Sequence, residues 1–255
     1  MNSTHSRKLN QAKKLLNYLK EDVKTFFDSQ PFQIATKRDN AMRLIYFVSK
    51  ADQQPESISA FIGDILQNLR SALDHKAYEL FKANSNELGR HIYFPIEKSK
   101  ETYEAIKERR THGMSQKSKD FIDLIKPYKE GNYILWQLHE LNNLDKHRTI
   151  ITSGSGFNGV DVDAYVRNIP NFIPKDFPKM PVYIKPADNL FPLTVGKELL
   201  TDMPNAAEIP DMQFNFQLVI NEPGIAEGED IFLFLEKLIT EVDKQISDIS
   251  NNLGI

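Results

Sequence analysis

An α+β fold follows from three features of the sequence. Segments near 6–28, 57–82, 133–148 and 229–251 carry apolar residues at helical spacing. The stretch Met212 to Ile220, "MQFNFQLVI", alternates instead, with Phe214, Phe216, Leu218 and Ile220 pointing one way and Gln213, Asn215 and Gln217 the other. Between 149 and 228 prolines and glycines break the chain into short extended pieces. These features predict long helices in a bundle-like layer, packed with short antiparallel strands at 32–48 and 149–220. The reading is one interwoven domain, with a helical part at about 1–150 and 229–255 and a strand-rich part at about 149–228.

The first helix runs from about Ser6 to Asp28, with Ala12, Leu15, Leu16, Leu19, Val23, Phe26 and Phe27 on its stripe and Pro31 blocking continuation. Phe32 to Thr36 alternates, "KRDN" has turn chemistry, and Arg43 to Val48 is rich in strand formers, which predicts a β-hairpin. The second helix spans about Ser57 to Lys82, with Ser57 and Ser59 as candidate caps. Its apolar arc holds Ile62, Ile65, Leu66, Leu69, Ala72, Leu73, Ala77 and Leu80. Asp64, Gln67, Asn68, Arg70, Ser71, Asp74, His75 and Tyr78 fill the opposite arc.

"HIYFPIEKS" reads as a short extended segment, followed by helices around Lys100–Arg110 and Ser115–Ile125, the second closed by Pro127. The third long helix, about Tyr133 to Arg148, sets Ile134, Leu138 and Leu141 opposite Trp136, His139, Glu140, Asn143, Lys146 and His147. "TSGSGFNG" reads as a turn-rich loop, and Pro170, Pro174, Pro178, Pro181, Pro186 and Pro192 punctuate the chain beyond it. The closing helix runs from about Glu229 to Asn251, with acidic residues in its first turn.

The chain has 255 residues, a formal charge of −3 and a pI near 6.1, so nucleic-acid binding requires a local basic patch rather than a global pull. The absence of cysteine excludes disulfides, thiol nucleophiles and cysteine zinc sites, and fits a reducing cytoplasm. The basic start is not followed by a continuous apolar run, so no secretory signal is expected. No stretch approaches the roughly 18 apolar residues of a membrane span. Walker, dinucleotide-binding and nucleophile-elbow motifs are absent.

The chemistry concentrates in two helices. In "NLRSALDH", Arg70 and His75 lie about 140° apart and flank a polar face that includes Ser71 and Asp74. Arg70 and Asp74, four apart, have the spacing of a helical ion pair, worth about 0.3–0.5 kcal/mol when exposed. His139, Asn143 and His147 form a stripe on the later helix. One explanation is a polar seam, fully hydrogen-bonded, where the two helices pack. A metal site is another, but His139 and His147 stand roughly 12 Å apart by helical rise, and no His-Glu-x-x-His or Glu-x-x-His spacing occurs. The expectation is therefore no metal and no cofactor. Lys146, His147 and Arg148 form a small basic cluster suited to phosphate.

The Arg-x4-His spacing of Arg70 and His75 resembles that of the HEPN families, helical proteins that include metal-independent RNases of toxin–antitoxin and antiviral systems. The resemblance implies an RNA endonuclease, active in defence or stress, in which Arg70 contacts the scissile phosphate. His75 moves the proton for attack by the ribose 2′-hydroxyl, and Ser71 stands where that motif often has a polar residue. It also implies a homodimer. A broader segment is similar to a group of uncharacterised bacterial proteins: "GDILQNLRSALDHKAYEL", "FPI", "KPY" and "LWQLHELNNLDKHR", from about Ile58 to Arg148. Asp74, His139, Asn143 and His147 are expected to support Arg70 and His75. The alternative is a non-catalytic protein whose polar helix faces form a seam and bind a partner or ligand.

Overall fold

The computed structural model describes residues 3–148, 153–161, 163, 183–184, 192–209 and 212–254. Helix α1 (Thr4–Asp28) leads into a hairpin of β1 (Phe32–Arg38) and β2 (Arg43–Ala51), followed by α2 (Glu56–Lys82). Helices α3 (Lys100–Arg110), α4 (Gln116–Ile125) and α5 (Tyr133–Arg148) come next, then β3 (Ser153–Asp161), β4 (Tyr183–Ile184), β5 (Glu198–Pro204), β6 (Gln213–Ile220) and α6 (Ile231–Leu253). The fold is α+β, with antiparallel strands in two sheets ordered β1-β2-β5 and β4-β3-β6.

Helices α1, α2, α5 and α6 pack around one apolar core. Ion pairs of Lys13 with Asp243 (2.7 Å) and Lys20 with Glu236 (2.6 Å) fix α1 antiparallel to α6. Leu19, Ile62, Leu66, Leu69, Leu138, Leu141, Leu235 and Leu238 are withdrawn from solvent between these helices. Each such side chain contributes roughly 1.5–3 kcal/mol relative to exposure. A polar thread crosses this core. His5 Nδ1 lies 2.8 Å from a Glu79 carboxylate oxygen, and the fully buried Lys76 donates from Nζ to Ser250 Oγ at 2.8 Å. Lys76 Nζ also lies 3.6 Å from Glu79, so α1, α2 and α6 share one charged cluster. Burial lowers the pKa of Lys76, partly offset by Glu79.

The hairpin forms where expected. Asp39 Oδ1 accepts from the amides of Ala41 and Arg43, closing the turn, and Met42 takes a left-handed conformation (φ 60°). The two sheets meet through Phe32 against Phe216 (4.7 Å between ring centroids) and Tyr46 against Phe214 (5.5 Å). Strand β6 joins two cores: Phe214 and Phe216 pack on the cluster of Val48, Phe157, Val160 and Leu199, whereas Leu218 and Ile220 belong to the helical core.

Four local expectations are corrected. "TSGSGFNG" is not a loop: from Ser153 onward it is β3, paired with β6 over its whole length. The glycines hide its alternation, and a register shift between Phe157 and Gly159 lets Phe157 and Val160, three apart, both turn inward. Neither Ser57 nor Ser59 caps α2. Pro55 holds the N-cap position without a side-chain bond, and Ser57 Oγ donates to Asp22 across to α1. The first turn of α6 has no acidic residue; Asp230 is its N-cap, accepting from the amides of Phe232 and Leu233. The division of α5 into an apolar side and a polar side holding Trp136 is not kept, for Leu135, Trp136, Gln137, Leu138, Leu141 and Asn142 are buried around most of its circumference. The prolines at 170, 174, 178, 181 and 186 lie outside the described residues. Among the described residues no helix is long and apolar enough to cross a membrane.

Candidate anion-binding site

Helix α2 sends Arg70 into the protein rather than to solvent; the residue is only 7% exposed. Its Nη2 donates to the Phe94 carbonyl at 2.6 Å and to Asp74 Oδ1 at 2.9 Å. The same Asp74 oxygen accepts from the Phe94 amide at 3.0 Å. Guanidinium, carboxylate and both polar atoms of Phe94 thus close into one ring. The Arg70–Asp74 pair is therefore not the exposed surface bridge its spacing suggests. It is a clamp that hangs the 93–97 segment on α2, with Phe94, Pro95 and Ile96 buried behind it.

Helix α5 supplies the facing side. Asn132 starts it by accepting from the Leu135 amide at 3.1 Å, and the helix runs antiparallel to α2. The antiparallel sense follows from two pairings. Gly63 lies beside Asp145, and Arg70 lies near enough to His139 to act on its charge. A Cβ on Gly63 would come within 2.6 Å of Asp145 Oδ1, so a side chain there meets the Asp145 carboxylate. Burial and the neighbouring Asp64 raise the pKa of Asp145.

Between α2, the 93–97 segment, α3 and α5 lies an open cleft of about 200 Å³. It is lined by Arg70, Asp74, Tyr93, Phe94, Pro95, Ile96, Glu97, Ile106, Arg110, His139, Asn142, Asn143 and Lys146. Asn143 Nδ2 donates to His139 Nε2 at 2.9 Å, which assigns the imidazole proton to Nδ1. That Nδ1 is buried and has no hydrogen-bond partner among the described residues; Arg70 Nη1 is in the same condition. Two buried donors without acceptors therefore belong to residues of one small cleft. Buried donors are ordinarily paired, so these two stand out among the polar atoms of the cleft's lining.

The charges agree. Burial, followed by the positive fields of Arg70, Lys146 and Arg110, pushes the His139 pKa down to about 3, so the ring is neutral near pH 7. Glu97 is pushed up by burial, against the pull of Arg110 and Arg70. Asp74, the other carboxylate on the lining, is occupied by the Phe94 amide and Arg70. Arg110 stacks its guanidinium on the Tyr93 ring at 5.1 Å from the centroid, and Lys146 is exposed at the rim.

Of the sequence candidates, Arg70, Asp74, His139 and Asn143 converge on the cleft. His75 and Ser71 do not line it. Both are half-buried; Ser71 lies 3.4 Å from Gln67, and His75 has no hydrogen-bond partner among the described residues. The rotation of about 140° between Arg70 and His75 carries them to different surfaces. Asp74 faces α5 across the cleft but bonds to Phe94, not to α5. The side chain of His147 lies outside the described residues. Sequence reasoning missed Tyr93, Glu97, Arg110 and Asn142 as site residues. The one signal for the wall was "FPI" within the shared segment, and nothing in the periodicity of α3 distinguishes Arg110 from Arg109. Among the described residues no group of His, Asp and Glu could hold a metal ion.

The chain matches no protein-family model, no curated protein and no solved structure.

Proposed function

We propose that this protein binds a phosphate-bearing ligand in the cleft between α2 and α5. One observation carries the reading: Arg70 Nη1 and His139 Nδ1, both buried donors lacking acceptors among the described residues, belong to the lining of a single cleft that Arg110 and Lys146 also line. With Nη2 engaged by Phe94 and Asp74, the Nη1 hydrogens of Arg70 remain for an oxyanion, and charge-assisted bonds of this kind are the strong ones. Titration calorimetry with inorganic phosphate tests the reading. Phosphate is expected to bind, more weakly as salt rises, with Lys146→Ala and Arg110→Ala each lowering affinity several-fold. Absence of binding at low ionic strength by the folded wild-type protein rules the reading out.

A second reading is metal-independent RNA cleavage, in keeping with the HEPN resemblance. The juxtaposition of Arg70 and His139 in one cleft favours it, with the Nδ1–H of His139 as a donor to the phosphodiester; as a base the ring would first have to release Nε2 from Asn143. In that scheme Arg70 holds the phosphate, and the imidazole of the same cleft is His139, whereas His75 acts only if a second copy brings it there. Assay of single-stranded RNA with the wild type, Arg70→Ala, His75→Ala and His139→Ala decides between the histidines. Chelator is expected to have no effect, and the product to end in a 2′,3′-cyclic phosphate. A wild type inactive on RNA leaves binding as the function.

A further inference from the structure

A nucleophile, a base and a carboxylate stand in line at the start of α1, and none of the three lines the α2–α5 cleft. Ser3 is the N-cap of α1, and its Oγ lies 2.9 Å from Nε2 of His5. At the other nitrogen of the same ring, Nδ1 lies 2.9 and 2.8 Å from the two carboxylate oxygens of Glu79 on α2. A carboxylate only accepts, so in the neutral ring Nδ1 carries the proton and Nε2 offers its lone pair to the serine hydroxyl. Ser6 completes the proton count. Its hydroxyl lies 2.8 Å from Ser3 Oγ, and its amide donates to the same oxygen at 3.4 Å. Ser3 thus receives from Ser6 and gives to His5. The arrangement is held firmly, since the imidazole is buried and Lys76, bonded to Ser250 of α6, lies 3.6 Å from Glu79. Helix capping accounts for the bonds between Ser3 and Ser6. It does not account for a ring aimed at that hydroxyl by a carboxylate from another helix, which is the geometry that activates a serine.

We propose that Ser3, His5 and Glu79 form a nucleophilic relay that cleaves small acyl esters. Ser3 Oγ bonds to the ester carbonyl carbon as its proton passes to His5 Nε2. Collapse of the tetrahedral adduct breaks the ester carbon–oxygen bond, and the same proton leaves with the alcohol. Water then attacks the acyl-serine, giving its proton to His5. The carboxylic acid departs and Ser3 takes that proton back. Glu79 touches no substrate; it is a positioning residue that orients the ring and offsets its transient charge. Thr4 and His5 belong to the first turn of α1, whose amides have no intrahelical acceptor, so the positive end of the helix supplies donors for the oxyanion. Ser3 is only half-buried, so the relay meets its substrates from solvent and takes esters whose acyl group needs no enclosing pocket.

Diisopropyl fluorophosphate, which bonds to activated serines with release of fluoride, tests the relay on the whole chain. Mass spectrometry is expected to place the label on Ser3, and the wild type to hydrolyse p-nitrophenyl acetate. Ser3→Gly, which keeps a tolerated cap, should lose both activities. His5→Ala and Glu79→Ala should each lower both rates about a hundredfold or more, with circular dichroism confirming the fold. Added imidazole should return part of the rate to His5→Ala, and added formate part of the rate to Glu79→Ala; a purely structural role gives no such rescue. The proposal falls if the wild type carries no label on Ser3, if Ser3→Gly hydrolyses the ester as fast as the wild type, or if neither small molecule rescues its variant. Because the label is read on the wild type, the test decides even where a variant fails to fold.

Discussion

Replacing His139 by Gln is expected to change how stability depends on pH. In the folded protein the imidazole stays neutral down to about pH 3, against an ordinary value of 6.5. Between those values the unfolded chain binds a proton at this position that the folded chain refuses. Stability from this residue is therefore whole above the ordinary value and is lost as pH falls toward the depressed one. At about 1.4 kcal/mol per unit, moving from pH 7 to pH 5 costs roughly 2 kcal/mol through His139 alone. Glu97 and Asp145 work in the opposite sense, since their raised pKa values let the folded protein take up protons more readily than the unfolded chain. The wild-type curve by itself therefore understates the histidine. The difference between wild type and His139→Gln isolates it, because Gln keeps a polar partner for Asn143 and has no titration of its own. Urea denaturation at pH 7 and pH 5 gives four free energies. The wild type should lose about 2 kcal/mol more than the variant over that interval. Equal losses would mean that the folded protein protonates His139 near its ordinary value, and would refute a neutral ring crowded by three cations.

Arg70→Lys is expected to weaken phosphate binding at least tenfold and to cost about 1–3 kcal/mol, because one ammonium cannot serve Phe94, Asp74 and a ligand together; unchanged calorimetric affinity and midpoint would refute the clamp. Lys76→Met should destabilise by about 2–4 kcal/mol by leaving Glu79 short of positive charge, and adding Glu79→Gln should return part of that in a denaturation double-mutant cycle; additive losses would show that the two are uncoupled. Gly63→Ala should be near neutral, since Asp145 can swing away and the helix gains propensity, whereas Gly63→Leu should wedge α2 from α5 at a cost of about 1–3 kcal/mol; a thermally stable Leu variant would contradict the close approach.

The helices were legible because their apolar stripes are long. Tyr133–Arg148 matches its expected limits, and α2 and α6 differ from theirs by a residue or two. Strand β6 was equally plain. Strand β3 was not, because its Gly and Ser residues carry no strand preference and only the pairing with β6 sets their conformation. In the site, the α2 and α5 halves could be read, since polar residues at helical spacing stood out from a Lys/Glu solvent face. Which member of the polar arc turned inward could not. Arg70 is buried and His75 is not because Phe94, twenty-four residues beyond Arg70, offers the guanidinium a carbonyl. Tyr93 and Glu97 come from the segment that bond holds, and Arg110 from α3, which is tied to α4 through Tyr103 and Lys107 on Asp123; local pattern carries no trace of either approach.

The ring formed by Arg70, Asp74 and the Phe94 peptide makes that amide a sensor. Its hydrogen is held by a carboxylate that also holds Arg70, the group proposed to meet the ligand. A phosphate drawing on the guanidinium redistributes charge around the whole ring, so occupancy of the cleft and exchange of a single backbone proton become two readings of one equilibrium. The Phe94 amide resonance and its hydrogen-exchange rate then track ligand occupancy without any label placed in the cleft.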